Sequence, residues 1–213
     1  MDQRLVAWAR AVKARAVRSG SRHPVPPLWL FTDAARMPDL LRVVRALPPG
    51  LCGVVFRHDG APDRAALGRQ VLRACRGRRL WMTAAPPYIP GAGRHLRRGA
   101  GRAGATAQPL TATAQPLTAP AQPVTASAHG VAELVRARRA GATAVFLSPL
   151  FPTASHPGSP ALGPVRWSAM AQAARPKVPG PALLALGGIE ASVLRRLPPR
   201  VGGVGAITAL LGP

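Results

Sequence analysis

The stretch Thr143-Ala-Val-Phe-Leu-Ser-Pro-Leu-Phe-Pro-Thr-Ala-Ser-His-Pro-Gly-Ser-Pro-Ala-Leu-Gly163 decides the fold. It begins with an apolar run, Ala144 to Leu147, which the prolines at positions 149 and 152 then interrupt. A run this short, bounded by turn residues, is typical of a buried strand. Strands of a parallel sheet that is covered on both faces look continuous rather than alternating. The polar loop that follows is where an α/β fold places its functional site.

The same alternation of apolar runs and helical patterns extends over most of the chain. It predicts strands over residues 28–33, 53–58, 79–83, 93–96, 124–129, 144–148, 183–188 and 203–209. It predicts helices over residues 39–47, 63–76, 131–140, 165–175 and 191–197. Eight strands separated mostly by helices favour a (β/α)₈ TIM barrel. A doubly wound sheet is the alternative, but its strand–Gly-x-Gly-x-x-Gly–helix fingerprint is absent from the sequence.

The predicted barrel is lean, with some outer helices missing or replaced. The segment 84–92 between strands three and four is rich in proline, and the chain stops just after strand eight. A barrel of this type usually takes ~250 residues, and this chain has 213. We expect either the N-terminal helix or a partner subunit, as in a homo-oligomer, to cover one gap.

Two segments stand apart from this pattern. Residues 1–27 read as a peripheral helix and a linker, which leaves residues 28–213 for the barrel domain. Within the barrel, residues 104–122 form a low-complexity segment in which Thr106–Ala112 is repeated as Thr113–Ala119. A third, imperfect copy leads into strand five. We expect the two earlier copies to form a surface loop, because each carries a central proline.

Composition limits the classes of function. The net charge of +22 raises a nucleic-acid hypothesis. Against it, the basic residues are almost all arginines spread along the chain, and aromatic residues are too few for a stacking platform. No apolar run spans a bilayer and no secretory signal is evident, so we expect a cytoplasmic protein that does not enter a membrane. Cys52 and Cys75 read as buried, reduced thiols.

Polar residues and glycines follow the predicted strands at the ends where a barrel builds its site. The candidates for contact with a substrate are Arg57, His58, Ser127, His129, Thr153, Ser155 and His156. The candidates for phosphate binding are Gly187, Gly188, Ile207 and Thr208. A Gly-Gly pair before a short helix suits a phosphate, because glycine allows close approach and the helix N-terminus supplies N–H donors. A tight turn explains the glycines equally well, and each histidine has a structural role as its alternative.

Several short motifs, in order over residues 28 to 210, resemble the thiamine phosphate synthase/TenI family of thiamin biosynthesis. They are Thr32-Asp33, Phe56-Arg57, His95-Leu96, Ser127-Ala128-His129, Pro149 to Thr153, and Gly187-Gly188-Ile189. The resemblance implies a (β/α)₈ barrel that acts on a thiazole phosphate. In tautomerase-type members, a histidine at the position of His129 transfers a proton, and Ser127 would hold the substrate.

The departures from the family pattern concern the metal. The resemblance implies that a synthase condenses a pyrimidine pyrophosphate with a thiazole phosphate and uses Mg²⁺ held by two acids. Here Thr83-Ala84 replaces one Asn-Asp pair, and the second acid falls near Ala100. We therefore expect no metal site and favour tautomerase-like proton transfer by His129. Condensation with Mg²⁺ and non-catalytic binding of a thiazole phosphate are the alternatives.

Overall fold

A computed structural model gives the fold. It describes residues 1–21, 24–99, 122–153, 158, 160–174 and 180–211. Two of the candidate substrate residues, Ser155 and His156, lie outside the described residues, and so do the two complete copies of the repeat.

The described residues contain eight strands that pair in parallel and in chain order, and β8 pairs back to β1. The strands are β1 (Leu28–Phe31), β2 (Cys52–Phe56), β3 (Trp81–Ala84), β4 (Gly93–Leu96), β5 (Val124–Ala128), β6 (Ala144–Leu147), β7 (Ala182–Leu186) and β8 (Val204–Ala206). The closed barrel confirms the predicted fold class and removes the doubly wound alternative.

Five α-helices cover the barrel in the described part of the chain. They are α1 (Gln3–Arg18), α2 (Leu40–Ala46), α3 (Arg64–Gly77), α4 (Val131–Arg139) and α5 (Gly163–Ala173). The helix predicted after strand seven is instead a six-residue 3₁₀ helix, Ala191–Arg196. The proline-rich segment 85–92 contains no helix, as expected. No helix among the described residues is both long and apolar enough to cross a membrane.

Aromatic side chains from β1 and β6 meet in the interior of the barrel. Phe146 makes edge-to-face contacts with Trp29 and Phe31, with ring centroids 5.5 and 4.8 Å apart. Glycines make room for these rings: a Cβ on Gly53 would lie 2.6 Å from the Trp29 ring, and one on Gly205 would lie 2.7 Å from the Phe31 ring. The barrel is therefore closed below its C-terminal mouth by a few interlocking rings.

The N-terminal helix α1 is part of the outer shell of the barrel. Leu5 and Ala9 are buried within the main hydrophobic cluster, and α1 packs beside the 3₁₀ helix that follows β7. Lys13 donates a hydrogen bond to the Gly50 carbonyl (2.7 Å), and Arg15 donates one to the Val201 carbonyl (2.8 Å). These carbonyls precede β2 and β8, so α1 is attached to the barrel near the N-terminal ends of these two strands.

Candidate active site

A cavity of about 480 Å³ opens at the C-terminal ends of the strands. Eight of the candidate residues line it, from strands or loops that are far apart in sequence: Arg57, Ser127, His129, Thr153, Gly187, Gly188, Ile207 and Thr208. Because all eight strands run in parallel, their carboxyl ends meet at one mouth, and this brings the eight residues together.

His129 follows β5 and is held through both its backbone and its ring. Its backbone N–H donates to the Glu133 carboxylate in the first turn of α4 (2.8 Å). Its Nδ1 lies 3.0 Å from the backbone carbonyl oxygen of Ser148, at the end of β6. The Ser148 hydroxyl also lies near Nδ1, at 3.3 Å. The carbonyl oxygen is nearer and can only accept, so we assign the proton to Nδ1, which leaves the lone pair of an uncharged ring on Nε2. The side chain is exposed at the mouth, where it can act as a base.

Ser127 sits below His129 on the inner face of β5. Its hydroxyl oxygen lies 3.0 Å from Nε2 of His95, which comes from β4 and also lines the cavity. Nδ1 of His95 lies 2.9 Å from the Thr125 hydroxyl. Burial, followed by the positive charges of Arg57 and Arg97, lowers the pKa of His95 to about 3. His95 is therefore a neutral imidazole under the wall of the cavity.

His58 is the candidate residue that the structure places apart from the others. It does not line the cavity; it is buried, with Nδ1 3.0 Å from the Thr32 hydroxyl and its ring stacked on Phe56. Burial lowers the pKa of His58. Its role in substrate binding stays a prediction, and the observed contacts are those of a core histidine.

The loops after β7 and β8 form the wall where we expected a phosphate. Gly187 and Gly188 have φ values of 96° and 62°, in the left-handed region that glycine adopts freely. Within the described chain, the backbone N–H groups of Gly188, Ile189, Ile207 and Thr208 donate to no protein acceptor. The helix expected here is the short 3₁₀ helix, so any anion would be bound by loop N–H groups rather than by a helix terminus.

Arginines dominate the mouth on the side of β2 and β4. Arg57, Arg97 and Arg98 line the cavity, together with Arg36. Arg36 pairs with Asp33 (2.7 Å), and Arg97 pairs with Asp59. Glu190 is the one carboxylate on the described cavity wall, so this mouth is strongly cationic.

The donor set does not fit a magnesium ion. Mg²⁺ needs several hard oxygen ligands, usually carboxylates, in near-octahedral geometry. Thr83 and Ala84 stand where the resemblance implies an Asn-Asp pair; both are fully buried in β3, and the Thr83 hydroxyl contacts that of Thr125. Asp33 and Asp59 are engaged by arginines. The described chain offers no group of three or more histidine, cysteine or acidic side chains that could hold a metal ion.

Sequence reasoning did not select several residues that line the cavity, notably His95, Arg97, Arg98, Ser148 and Glu190. His95 carried a signal, since it lies in a family-like motif on a predicted strand. The two arginines directly follow β4, a position whose importance is visible only once the barrel closes.

The family model described as thiamine monophosphate synthase matches residues 105–210 of the chain. No curated protein sequence is significantly similar to it. Among solved structures, it resembles thiamine phosphate pyrophosphorylase from Pyrococcus furiosus, at 20% identity over 88% of each chain, with a TM-score of 0.63.

Two further structures show more distant likeness. The thiamine phosphate pyrophosphorylase from Bacteroides thetaiotaomicron is 16% identical over 84% of this chain and 82% of its own, with a TM-score of 0.44. A native KDPGal structure is 14% identical over 85% of this chain and 82% of its own, with a TM-score of 0.50. The likenesses with TM-scores of 0.63 and 0.50 show the barrel fold and nothing finer.

Proposed function

We propose that this chain, which belongs to the thiamine phosphate synthase/TenI family, binds a thiazole phosphate at its barrel mouth and transfers a proton on it through His129. The substrate is a small phosphorylated molecule that fits a cavity of about 480 Å³. A nucleic acid is not the partner we propose, because the features that line this cavity suit a compact anion.

The observation that carries the proposal is the 3.0 Å contact between Nδ1 of His129 and the Ser148 carbonyl oxygen. Because that oxygen can only accept, we infer that the ring proton lies on Nδ1 and that Nε2 accepts and returns a proton. Imidazole is the side chain most often used to transfer protons near neutral pH. The Glu133 contact fixes the backbone of the same residue, which keeps the ring in position.

The phosphate would bind at the wall formed after β7 and β8. Gly188 and Thr208 line the cavity there, and their N–H groups have no other acceptor among the described residues. Backbone N–H groups gathered in one concavity are suited to phosphate oxygens. Glu190 faces the same cavity, so the bound phosphate would be oriented away from its carboxylate.

Condensation is the second candidate, and the cationic mouth favours it. Arg57 and Arg98 line the cavity and have no acidic partner in the described part of the chain, so they would attract a diphosphate. Arginine binds phosphate oxygens through a planar set of donors. The poor fit of Mg²⁺ to these side chains separates this candidate from a synthase of the usual kind.

The deciding experiment is an assay of purified protein with a thiazole carboxylate phosphate alone, and with a thiazole phosphate plus a pyrimidine pyrophosphate. Each is run with Mg²⁺ and with a chelator. We expect isomerisation of the first substrate that is insensitive to the chelator. Thiamine phosphate formed from the pair would support condensation instead, and tight binding without turnover would indicate a binding protein.

His129→Asn tests the residue in the same assay. It should retain substrate binding and reduce turnover by ~10²–10⁴, the usual contribution of a positioned acid or base. The melting temperature of the same preparation controls for folding. A stable variant with full turnover would remove His129 from the mechanism.

A further inference from the structure

A row of buried polar groups crosses the barrel interior from β3 to the cavity. It runs from the Thr83 hydroxyl to the Thr125 hydroxyl (2.9 Å), then to Nδ1 of His95 (2.9 Å), and from Nε2 of His95 to the Ser127 hydroxyl (3.0 Å). Thr83 and Thr125 are 0% exposed and His95 is 1% exposed. Strand register produces the row, because Thr125 pairs directly with His95 across β4 and β5.

The hydrogens of this row can be counted. Each of the three hydroxyls carries one hydrogen, and a neutral imidazole carries one N–H. Three contacts use three of these four hydrogens, so one hydrogen is left over at one member of the row. His95 cannot be that member, because both of its ring nitrogens would then have to accept, which a neutral ring does not do.

The left-over hydrogen therefore lies on Thr83, Thr125 or Ser127. On Thr83 or Thr125 it would be a buried donor, since neither hydroxyl contacts another acceptor among the described residues. An unsatisfied buried donor costs about 1–3 kcal/mol. On Ser127 it points into the cavity, where water or a ligand can accept it.

We infer that the row is oriented from Thr83 towards the cavity, so that His95 is the Nε2–H tautomer and Ser127 offers its O–H to the ligand. The ligand group at Ser127 must then be a hydrogen-bond acceptor, such as a carboxylate oxygen or an unprotonated ring nitrogen. Thr83, Thr125 and His95 are positioning residues that act through Ser127. The nature of the ligand rests on the proposed function, whereas the tautomer does not.

The charge state of His95 is consistent with this orientation. Because its pKa is about 3, the ring keeps a single N–H throughout the near-neutral range. The donor at Ser127 is therefore present at any near-neutral pH, in contrast to a group whose role changes as it titrates.

The test is the tautomer of His95 in full-length protein labelled with ¹⁵N-histidine. Two-bond proton–nitrogen correlation spectra distinguish Nε2–H from Nδ1–H rings, and the spectrum of His95→Gln assigns the signal. We expect the Nε2–H pattern. Thr83→Val should keep it, because Thr125 then becomes the buried end of the row. An Nδ1–H or doubly protonated ring in the wild type would overturn the inference.

A binding measurement tests the donor at Ser127. Ser127→Ala should weaken binding of a thiazole carboxylate phosphate or of a thiazole phosphate by roughly 2–12-fold, which corresponds to one net hydrogen bond. A loss for the carboxylate ligand alone identifies the acceptor as the carboxylate, and an equal loss for both identifies it as a group that the two ligands share, the ring or the phosphate. Unchanged affinity for both would contradict the inference. If neither ligand binds the wild type, the proposed function fails and the NMR result still decides the tautomer.

Discussion

Two histidines at one barrel mouth have opposite environments at the scale of the residue. His129 is exposed and bonded to a backbone carbonyl, while His95 is 1% exposed and bonded to two hydroxyls. Desolvation disfavours the charged ring, so burial makes His95 a fixed dipole rather than a proton carrier. The outer ring is thus suited to exchange protons, and the inner ring to orient a neighbour.

Gly188 and Thr208 both line the wall where we propose the phosphate, but only Thr208 suits a substitution that tests it. A Cβ on Gly188 would lie 2.7 Å from Cβ of Phe151, and the φ of 62° also disfavours a side chain. Substitution at Gly188 would therefore disturb the β6 loop as well as any ligand. Thr208 lines the same cavity, is exposed, and can be replaced without such a collision.

Thr208→Asp should weaken binding of a thiazole phosphate at least tenfold, because it places a negative charge where we propose the phosphate. Thr208→Asn is the matched control, with nearly the same shape and no charge, and should bind almost normally. Calorimetric titration of the two variants measures the difference. Equal affinities would move the phosphate to another part of the cavity.

Sequence alone was sufficient for the residues that come from single motifs. Ser127, in β5, and His129, which directly follows β5, belong to one motif, and both line the cavity. The row through Thr83, Thr125 and His95 could not be predicted, because it depends on the register of three strands. Register is a non-local property, and a threonine in a strand has no sequence feature that marks it as a buried donor.

At the scale of elements, helix α1 packs one face onto the outside of the barrel. Its buried positions Leu5, Val6, Ala9 and Val12 recur at helical spacing, as expected for one face packed on the shell. The Asp2 carboxylate accepts from the Arg4 N–H (2.8 Å) and caps the first turn. A helix at the start of the chain therefore contributes to the wall beside β8.

Ala9→Asp should destabilise the protein by about 2–5 kcal/mol, because Ala9 is 0% exposed and a carboxylate there has no partner. Ala7→Asp is the matched control, since Ala7 is exposed on the same helix and should change stability by less than about 0.5 kcal/mol. Denaturant unfolding compares the two variants. Equally small losses of unfolding free energy in both variants would mean that the packing of α1 contributes little to the fold.

Elements with a strong apolar pattern were predictable, and their ends were not. The runs that became β2 and β6 are buried throughout, so burial and sequence agree. Strand β7 ends at Leu186 rather than Gly188, because the two glycines adopt left-handed φ values that leave the ladder. The segment after Glu190 winds as a 3₁₀ helix, and its six residues carry no buried face that would have favoured an α-helix.

At the scale of the whole molecule, the two buried histidines make stability depend on pH, because burial lowers the pKa of His58 and lowers that of His95 further. The pKa of His95 is about 3 in the folded state and ~6.5 when unfolded. The unfolded chain therefore binds the extra proton first. The contribution of the neutral His95 to the free energy of unfolding is complete above pH ~6.5 and is lost as pH falls from there towards about 3. The pKa of the Asp33 carboxyl is also lowered. Its effect on stability begins at a more acidic pH than the effect of His95 does.

Lowering the pH from about 7 to about 5 should therefore remove roughly 2 kcal/mol of stability through His95 alone. The measurement is urea unfolding at both pH values, for the wild type and for His95→Gln. The variant should be less stable at pH 7 and show a smaller loss between the two values. Parallel losses in both proteins would show that His95 is not the group responsible.

The fit between Trp29 and Gly53 restricts how this barrel can diverge. A single methyl group on Gly53 would lie 2.6 Å from the indole, and the indole itself packs against Phe146. A larger residue at position 53 would collide with the indole, so it cannot be substituted first. A smaller residue at position 29 would leave a cavity, and the loss of stability grows with the volume of that cavity. Descendants of this chain should therefore keep the pair together or exchange both members in close succession. Related sequences with a larger residue at position 53 should carry a smaller one at position 29, a covariation that arises from packing and is independent of any ligand.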